Sequence, residues 1–210
     1  MGDFPTLYTP RLTLRALTLA DASRVQELAG DARIAATTAR IPHPYPDGAA
    51  EKYIETLAPL AAEGKQYTFA ITLAGTRTPG REHDLLDTGH LIGSISLREI
   101  EEEHKRGVLG YWIGVPYWNK GFATEATRAV LAFAFSRRGL NRVTADHFVH
   151  NPASGRVLQK VGMTQEGVFR QFYWKDGAFR DVVFYAILQE EWVRARKAGK
   201  LRPSAKLQAV

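Results

Sequence analysis

The stretch Gly110-Tyr111-Trp112-Ile113-Gly114-Val115-Pro116-Tyr117-Trp118-Asn119-Lys120-Gly121-Phe122-Ala123-Thr124 decides how the rest of the chain is read. Val108 to Val115 is rich in β-formers and punctured by Gly110 and Gly114, which predicts a strand with a bulge or a close backbone approach. After an aromatic turn, Ala123, Ala126, Val130, Phe133 and Ala134 recur at helical spacing towards Gly139. The start of that helix carries unpaired N–H groups and the positive end of a dipole, and Gly121 and Ala123 lack bulk that would hold an anion away. The fragment therefore reads either as a pyrophosphate cradle or as an ordinary strand-to-helix turn in which glycine supplies the φ angle. It has neither the Gly-Lys-Ser/Thr order of an ATP loop nor the Gly-x-Gly-x-x-Gly of a dinucleotide fold, so ATP and NAD recede as ligands.

Upstream, Leu12-Thr13-Leu14-Arg15 alternates as a half-buried strand, and Thr18 with Asp21 three residues on opens a short helix through Val25 and Leu28. Ile41-Pro42-His43-Pro44-Tyr45-Pro46 cannot be helix, because its three prolines fix φ and push their predecessors to extended conformations. From Asp47 a helical pattern places Tyr53, Ile54, Leu57, Leu60 and Ala61 on one face, with Pro59 kinking or dividing it and Gly64 as its stop. Tyr67 to Leu73 reads as a strand, Gly75 to Gly89 as a polar loop, His90 to Arg98 as the next strand, and Glu99 to Glu103 as a solvated turn.

Downstream, Arg142 to Phe148 is a strand, Asn151-Pro152 is an N-cap with proline at N1, and Gly162 stops the helix that follows. Val168 to Trp174 and Ala178 to Leu188 flank Asp176-Gly177, a type I′ hairpin signal. The order predicts one mixed α/β sheet flanked by helices, without internal repeats.

The 210 residues suit one domain with ample core. With no cysteine, disulfides, Cys-ligated zinc, iron–sulfur clusters and thiol nucleophiles are excluded together, which fits a reducing cytoplasm. The amino terminus has no basic and apolar leader and no stretch approaches a membrane span, so a soluble, cytoplasmic protein is expected. Net charge is +6, but Arg194, Arg196, Lys197, Lys200, Arg202 and Lys206 follow the last acid, and the remaining 22 basic residues balance the 22 acidic ones. The expected organisation is a domain over 1–193 and a basic tail over 194–210. Nucleic acid is set aside as a partner, except for weak contact by that tail.

Gly110 to Gly114, Tyr117 to Ala126, Asn151-Pro152-Ala153-Ser154, Lys160-Val161-Gly162-Met163 and Glu166-Gly167 closely resemble GNAT acyltransferases. Within them the chain resembles the Rim-type branch of ribosomal-protein N-terminal alanine acetyltransferases. The likeness runs from Pro10-Arg11-Leu12 to Arg180-Asp181 and covers nearly all of residues 8–190.

The resemblance implies a mostly antiparallel central sheet, splayed at the cofactor site, with acetyl-CoA bound in the splay. Backbone groups of Ile113, Gly114 and Val115 would hold the pantetheine arm, and amides of Asn119, Lys120, Gly121, Phe122, Ala123 and Thr124 the pyrophosphate. Asn151 would contact the cofactor arm and Ser154 would sit near the thioester sulfur. An amine would attack the thioester directly, with no covalent enzyme intermediate and no metal.

Three positions depart from the family pattern. Trp118 stands where many members carry Arg or Gln. Leu158 stands where many carry the tyrosine that protonates the thiolate, which leaves Ser154 as the candidate. Val108 stands where relatives often carry a glutamate base, and the alternative acid position on the first hairpin strand falls near Tyr173. No carboxylate base is evident, although an α-amine with a pKa near ~8 is partly neutral at working pH.

Beside these readings stand plainer ones. Asn151 is an N-cap by spacing alone, and Ser154 can be a first-turn serine. His147 and His150 lack a third metal ligand. Tyr45, Phe172, Tyr173 and Trp174 divide between packing and lining an acceptor groove, and Tyr111 and Trp112 point to opposite sheet faces, so at most one should face the cleft.

The sequence is thus read as an acetyl-CoA-dependent N-acetyltransferase acting on an amine, foremost a protein N-terminal α-amine. Small amines (antibiotic, polyamine or amino acid) and a catalytically weak CoA-binding module are the alternatives. A homodimer is compatible with the resemblance.

Overall fold

The computed structural model describes residues 4–74, 89–199 and 206–207. In chain order its elements are β1 (Leu7–Tyr8), β2 (Leu12–Ala16), α1 (Ala22–Ala29), α2 (Ala32–Ala35), α3 (Ala49–Glu55), α4 (Leu57–Ala62), β3 (Tyr67–Leu73), β4 (Leu91–Glu101), β5 (Arg106–Ile113), α5 (Phe122–Ser136), β6 (Arg142–Phe148), α6 (Pro152–Lys160), β7 (Thr164–Lys175), β8 (Ala178–Leu188), α7 (Gln189–Lys197) and β9 (Lys206–Leu207). The strands form a single sheet in the order β7-β8-β6-β5-β4-β3-β2-β1-β9.

Every strand pair is antiparallel except β5 with β6, which run parallel and pair only at Arg106↔Arg142, Gly107↔Val143 and Val108↔Thr144. Beyond Val108 the two strands diverge. Each keeps its other neighbour, β4 through Ile113 and β8 through Phe148, so the gap is held open from both sides.

Two apolar layers sandwich the sheet. Leu12, Leu14, Phe69, Ile71, Ile95 and Leu109 pack with α5 and α6, whose Ala126, Val130, Phe133 and Leu158 are buried. On the opposite face Val25, Leu28, Ile54 and Leu57 of α1, α3 and α4 close over Ala70 and Leu91. A Leu or Ile side chain removed from water in this way contributes about 1.5–3 kcal/mol, which is why β3, buried on both faces, anchors the sheet.

Thr18 and Asp21 cap as their spacing predicts: the Asp21 carboxylate accepts the Thr18 N–H at 2.9 Å, and a 3₁₀ turn at Leu19–Asp21 leads into α1. Both Asp21 oxygens also accept from the Arg15 guanidinium at 2.7 Å. Burial pushes the Asp21 carboxyl up, but the Arg15 and Thr18 bonds outweigh it and hold its pKa below the ordinary value. A carboxylate with a depressed folded pKa contributes stability above its unfolded pKa of about 4 and loses it as pH falls through the folded value. Asp21→Asn is therefore expected to cost about 2–3 kcal/mol at pH 7, short of the ~3–5 of a fully buried pair because Arg15 is a third exposed. Urea titrations at pH 7 and pH 3 should show that difference shrinking in acid.

Elsewhere the boundaries shift for local reasons. The helix expected from Asp47 divides at Thr56 into α3 and α4, with Pro59 in the first turn of α4, where its missing N–H costs little. The strand expected over His90–Arg98 continues to Glu101, past an irregularity where Glu99 takes φ +52°, and the turn falls at residues 102–105 instead of Glu99–Glu103. Ile100 explains the extension: its side chain is buried and its N–H reaches the Lys65 carbonyl at 3.1 Å. The strand expected over Val108–Val115 starts at Arg106 and ends at Ile113, because Val115–Tyr117 forms a 3₁₀ turn. In the turn between β7 and β8, Asp176 and Gly177 take the two positive φ values of a type I′ turn, +50° and +74°.

The loop read over Gly75–Gly89 lies, but for Gly89, outside the described residues. Arg194, Arg196 and Lys197 belong to α7, where the Arg196 guanidinium lies 4.6 Å from the ring centroid of the buried Trp192. Among the described residues no helix is long and apolar enough to cross a membrane.

Candidate active site

The divergence of β5 from β6 opens a cavity of about 810 Å³ that passes through the sheet. Its wall includes every residue of the expected site except Gly114, Val115 and Lys120. Both Tyr111 and Trp112 line it, although they project to opposite faces. The expectation that at most one could face the cleft fails because the cleft is a gap between strands, open to both sides of the sheet.

At one end of the cavity Asn119 and Gly121 take left-handed backbone angles, φ +61° and +80°, and turn the chain into α5 with Gly121 as N-cap. A side chain at Gly121 would be strained by that φ, although only Arg11 Nη2 lies near its Cβ position, at 3.5 Å. The first intrahelical bond, Glu125 N–H to the Gly121 carbonyl, leaves the N–H groups of Phe122, Ala123 and Thr124 without helical acceptors. The loop is braced from outside: Arg11 bonds the Lys120 carbonyl (3.0 Å) and Glu125 (2.7 Å), and its guanidinium lies 4.7 Å from the Phe122 ring centroid. A pre-shaped row of amides at a helix start that lines a cavity can bind a diphosphate.

Along the β5 lip, Gly114 N–H donates to the Ile92 carbonyl at 2.8 Å, which sets the antiparallel alternation. Main-chain groups of Gly110, Trp112 and Gly114 then face β4, and those of Tyr111 and Ile113 face the gap. The Ile113 carbonyl is taken by Trp118 Nε1 at 2.5 Å. Of the trio Ile113, Gly114 and Val115, the Ile113 and Val115 N–H groups meet no acceptor among the described residues and are open to an extended amide-bearing chain, together with the main chain of Tyr111. Trp118, the departure from Arg or Gln, serves to fix the end of the strand. A Cβ at Gly114 would approach Leu28 to 3.0 Å, so the lip packs tightly on α1.

On the far lip, Asn151 caps α6 by accepting the Ser154 N–H at 3.3 Å and donates Nδ2 to the Thr37 carbonyl at 3.4 Å. Ser154 Oγ lies 2.8 Å from the Tyr111 hydroxyl, which also donates to the Ser154 carbonyl at 3.2 Å. Leu158, where a tyrosine was missed, is fully buried in the core. The phenol beside Ser154 thus arrives from β5, across the gap. Burial raises the Tyr111 pKa well above a free tyrosine's, so it is a neutral hydroxyl able to donate a proton.

The face towards α1–α4 carries the group that sequence reasoning missed. Val108 pairs with Thr144, and Asp146, two residues on, projects from the same face of β6. It is the one carboxylate among the described residues that line the cavity. Burial raises its pKa, with the positive charge of Arg98 opposing. The signal was faint: Arg142, Thr144 and Asp146 alternate with buried Val143, Ala145 and His147, as any half-buried strand would. Only the splay turns that face into a chamber.

Tyr173 lies on the same chamber, edge-on to Phe148 with centroids 6.1 Å apart. Its pKa is raised by burial and by the charge of Asp146, so at neutral pH it is a donor and not a base. His147 turns towards α6, with Nδ1 2.8 Å from the Phe148 carbonyl and Nε2 buried and, among the described residues, without a partner. His150 Nε2 meets the Ala36 carbonyl at 2.8 Å. Among the described residues no group of three His, Cys, Asp or Glu could hold a metal ion.

Residues 11–164 match the family model described as the acetyltransferase (GNAT) domain. Over 103 residues the chain is 39% identical to the uncharacterized N-acetyltransferase YoaA of Bacillus subtilis, covering 49% of this chain and 58% of that one. It is 29% identical over 188 residues to the uncharacterized N-acetyltransferase p20 of Bacillus licheniformis, covering 89% and 98%. Over 88 residues it is 32% identical to the Escherichia coli enzyme named ribosomal protein uS5-alanine N-acetyltransferase, covering 42% and 45%. The chain thus spans less than two thirds of YoaA and of the Escherichia coli enzyme.

The fold is shared with solved structures. Mycobacterium smegmatis RimJ in complex with CoA-disulfide superposes with a TM-score of 0.75 at 23% identity, covering 93% of each chain. Vibrio cholerae spermidine N-acetyltransferase in complex with CoA and spermine superposes with 0.70 at 22%, covering 87% of this chain and 98% of that one.

Proposed function

Since the chain belongs to the GNAT acetyltransferases, we propose that it transfers the acetyl group of acetyl-CoA to an amine, foremost a protein or peptide N-terminal α-amine. The observation that carries this reading is one continuous cavity. It joins the helix-start amides at Gly121–Thr124 to a half-buried carboxylate, Asp146, through a gap in the sheet. Acetyl-CoA supplies an activated acyl group when bound. Phe122, Ala123 and Thr124 N–H groups hold its diphosphate, and the Ile113 N–H and Tyr111 main chain orient the arm between β5 and β6.

Asp146 then takes the proton of the incoming ammonium, on the face where Val108 leaves no carboxylate. The neutral amine attacks the thioester carbonyl, the C–N bond forming as the C–S bond breaks, and Ser154, hydrogen-bonded to the Tyr111 hydroxyl, gives its proton to the departing sulfur and is restored by the second proton that the nitrogen sheds. Tyr173 orients the acceptor beside Asp146. The name of the Escherichia coli relative supports a ribosomal-protein-like acceptor, which would place the protein in the cytoplasm. The fold shared with a spermidine acetyltransferase supports the second reading, a small amine acceptor.

Thermal unfolding with acetyl-CoA, CoA, ATP and NAD in parallel tests the premise. A ligand at ~100 times its Kd adds about 2.7 kcal/mol, a rise of several degrees for a chain of this size. Acetyl-CoA and CoA are expected to raise the midpoint and ATP and NAD to leave it in place. No rise with either CoA species would remove the cofactor and with it the enzyme.

A further inference from the structure

The acceptor chamber also contains a guanidinium that the transfer reaction does not require. Arg98 sits on β4, its side chain 15% exposed, and lies across β5 over Gly110: Nε is 3.5 Å and Nη2 3.9 Å from where a Gly110 Cβ would stand. Nη1 is held by the Glu99 carboxylate, which also takes Arg40 at 2.8 Å. Among the described residues Nε and Nη2 donate to no acceptor, although the side chain lines the cavity and is largely buried. The unused edge is the planar pair of N–H donors that guanidinium offers to an oxygen. Asp146 projects into the same chamber from β6, close enough for the two charges to act on one another.

We infer that Arg98 and Asp146 together recognise an α-amino-acyl group: Asp146 takes the amine, and the free edge of Arg98 takes the oxygen on the carbon next to the amine-bearing one. The inference rests on the acetyltransferase reading above and narrows it. An N-terminal peptide or a free amino acid meets both partners. A polyamine has no oxygen for Arg98 and brings further positive charge towards Arg98 and Arg40. A guanidinium beside the amine also favours its neutral, nucleophilic form.

The test uses the full chain with acetyl-CoA and four acceptors: an alanyl peptide amide, its hydrocarbon isostere with CH₂–CH₂ in place of the first CO–NH, free alanine, and spermidine. The wild-type protein is expected to favour the peptide over the isostere by about 10- to 100-fold in kcat/KM, the worth of a hydrogen bond to a charged group. Arg98→Gln is expected to bring that ratio to within about threefold while acetyl-CoA affinity stays unchanged, with Arg98→Lys in between. A larger loss in Arg98→Gln on free alanine than on the peptide identifies a carboxylate as the oxygen source, and the reverse identifies an amide carbonyl. Equal wild-type turnover of peptide and isostere, spermidine turnover matching the peptide's, or a preference that survives Arg98→Gln overturns the inference and leaves the acetyltransferase intact. Acetyl-CoA binding without transfer to any amine overturns both. The wild-type comparison needs no variant, so a misfolded Arg98→Gln would not shelter the idea.

Discussion

Asp146→Asn is expected to lower kcat by about 100- to 1,000-fold while leaving acetyl-CoA affinity unchanged, the range that a positioned general base supplies. The effect should be in turnover because the carboxylate faces the acceptor chamber and not the helix start where the cofactor's phosphates would sit. Its pH dependence carries a sign. Burial holds the Asp146 pKa above the ordinary carboxylate value against the pull of Arg98, and only the ionised form accepts a proton. In the wild-type enzyme kcat/KM should therefore fall as pH drops through that raised pKa, and in Asp146→Asn this limb should vanish, leaving the acceptor's own deprotonation near pH ~8.

The same shift makes a stability statement. A carboxyl whose folded pKa exceeds its unfolded one is destabilising once ionised, so Asp146→Asn should unfold at the same or a higher temperature at pH 7. Lost activity with undiminished stability separates the base from a structural role. Wild-type turnover by Asp146→Asn would assign the proton to water or to the amine's own equilibrium.

Gly121→Glu is expected to weaken acetyl-CoA binding by at least about 100-fold, read by isothermal titration. Two costs combine. A residue with a Cβ at φ +80° carries strain of about 1 kcal/mol. A carboxylate placed about 5 Å from a diphosphate charge costs about 3 kcal/mol per pair at an effective dielectric near 20. Gly121→Ala separates them: its Cβ would meet only the flexible end of Arg11, so a loss below about tenfold is expected. Undiminished binding in Gly121→Glu would move the diphosphate away from α5.

The legible parts of the fold were those written in short-range pattern. The strand over Arg142–Phe148, the strand over Tyr67–Leu73, the capped helix after Asn151 and the Asp176-Gly177 turn follow from alternation, capping and turn chemistry within a few residues. The Glu99–Glu103 turn misled because a run of acids outweighs one Ile100, whose burial is a contact with the rest of the fold. The helix-start loop was legible because its glycine, its small neighbour and the helical period that follows are local too.

The chemistry opposite that loop was not legible, because the distances that matter join residues remote in the chain. Tyr111 meets Ser154 across 43 positions, and Arg98 and Asp146 share a chamber from β4 and β6. The resemblance marks Leu158 and Val108 as positions where many relatives carry a tyrosine and a carboxylate. It does not show that a phenol crosses from β5 to the start of α6, or that an aspartate one strand over faces the vacated side. Backbone preference and hydrophobic period set where strands and helices begin, and those are properties of neighbours along the chain. Which side chains converge depends on where β5 and β6 part, and that is set by the long-range pairing of β5 to β4 and of β6 to β8.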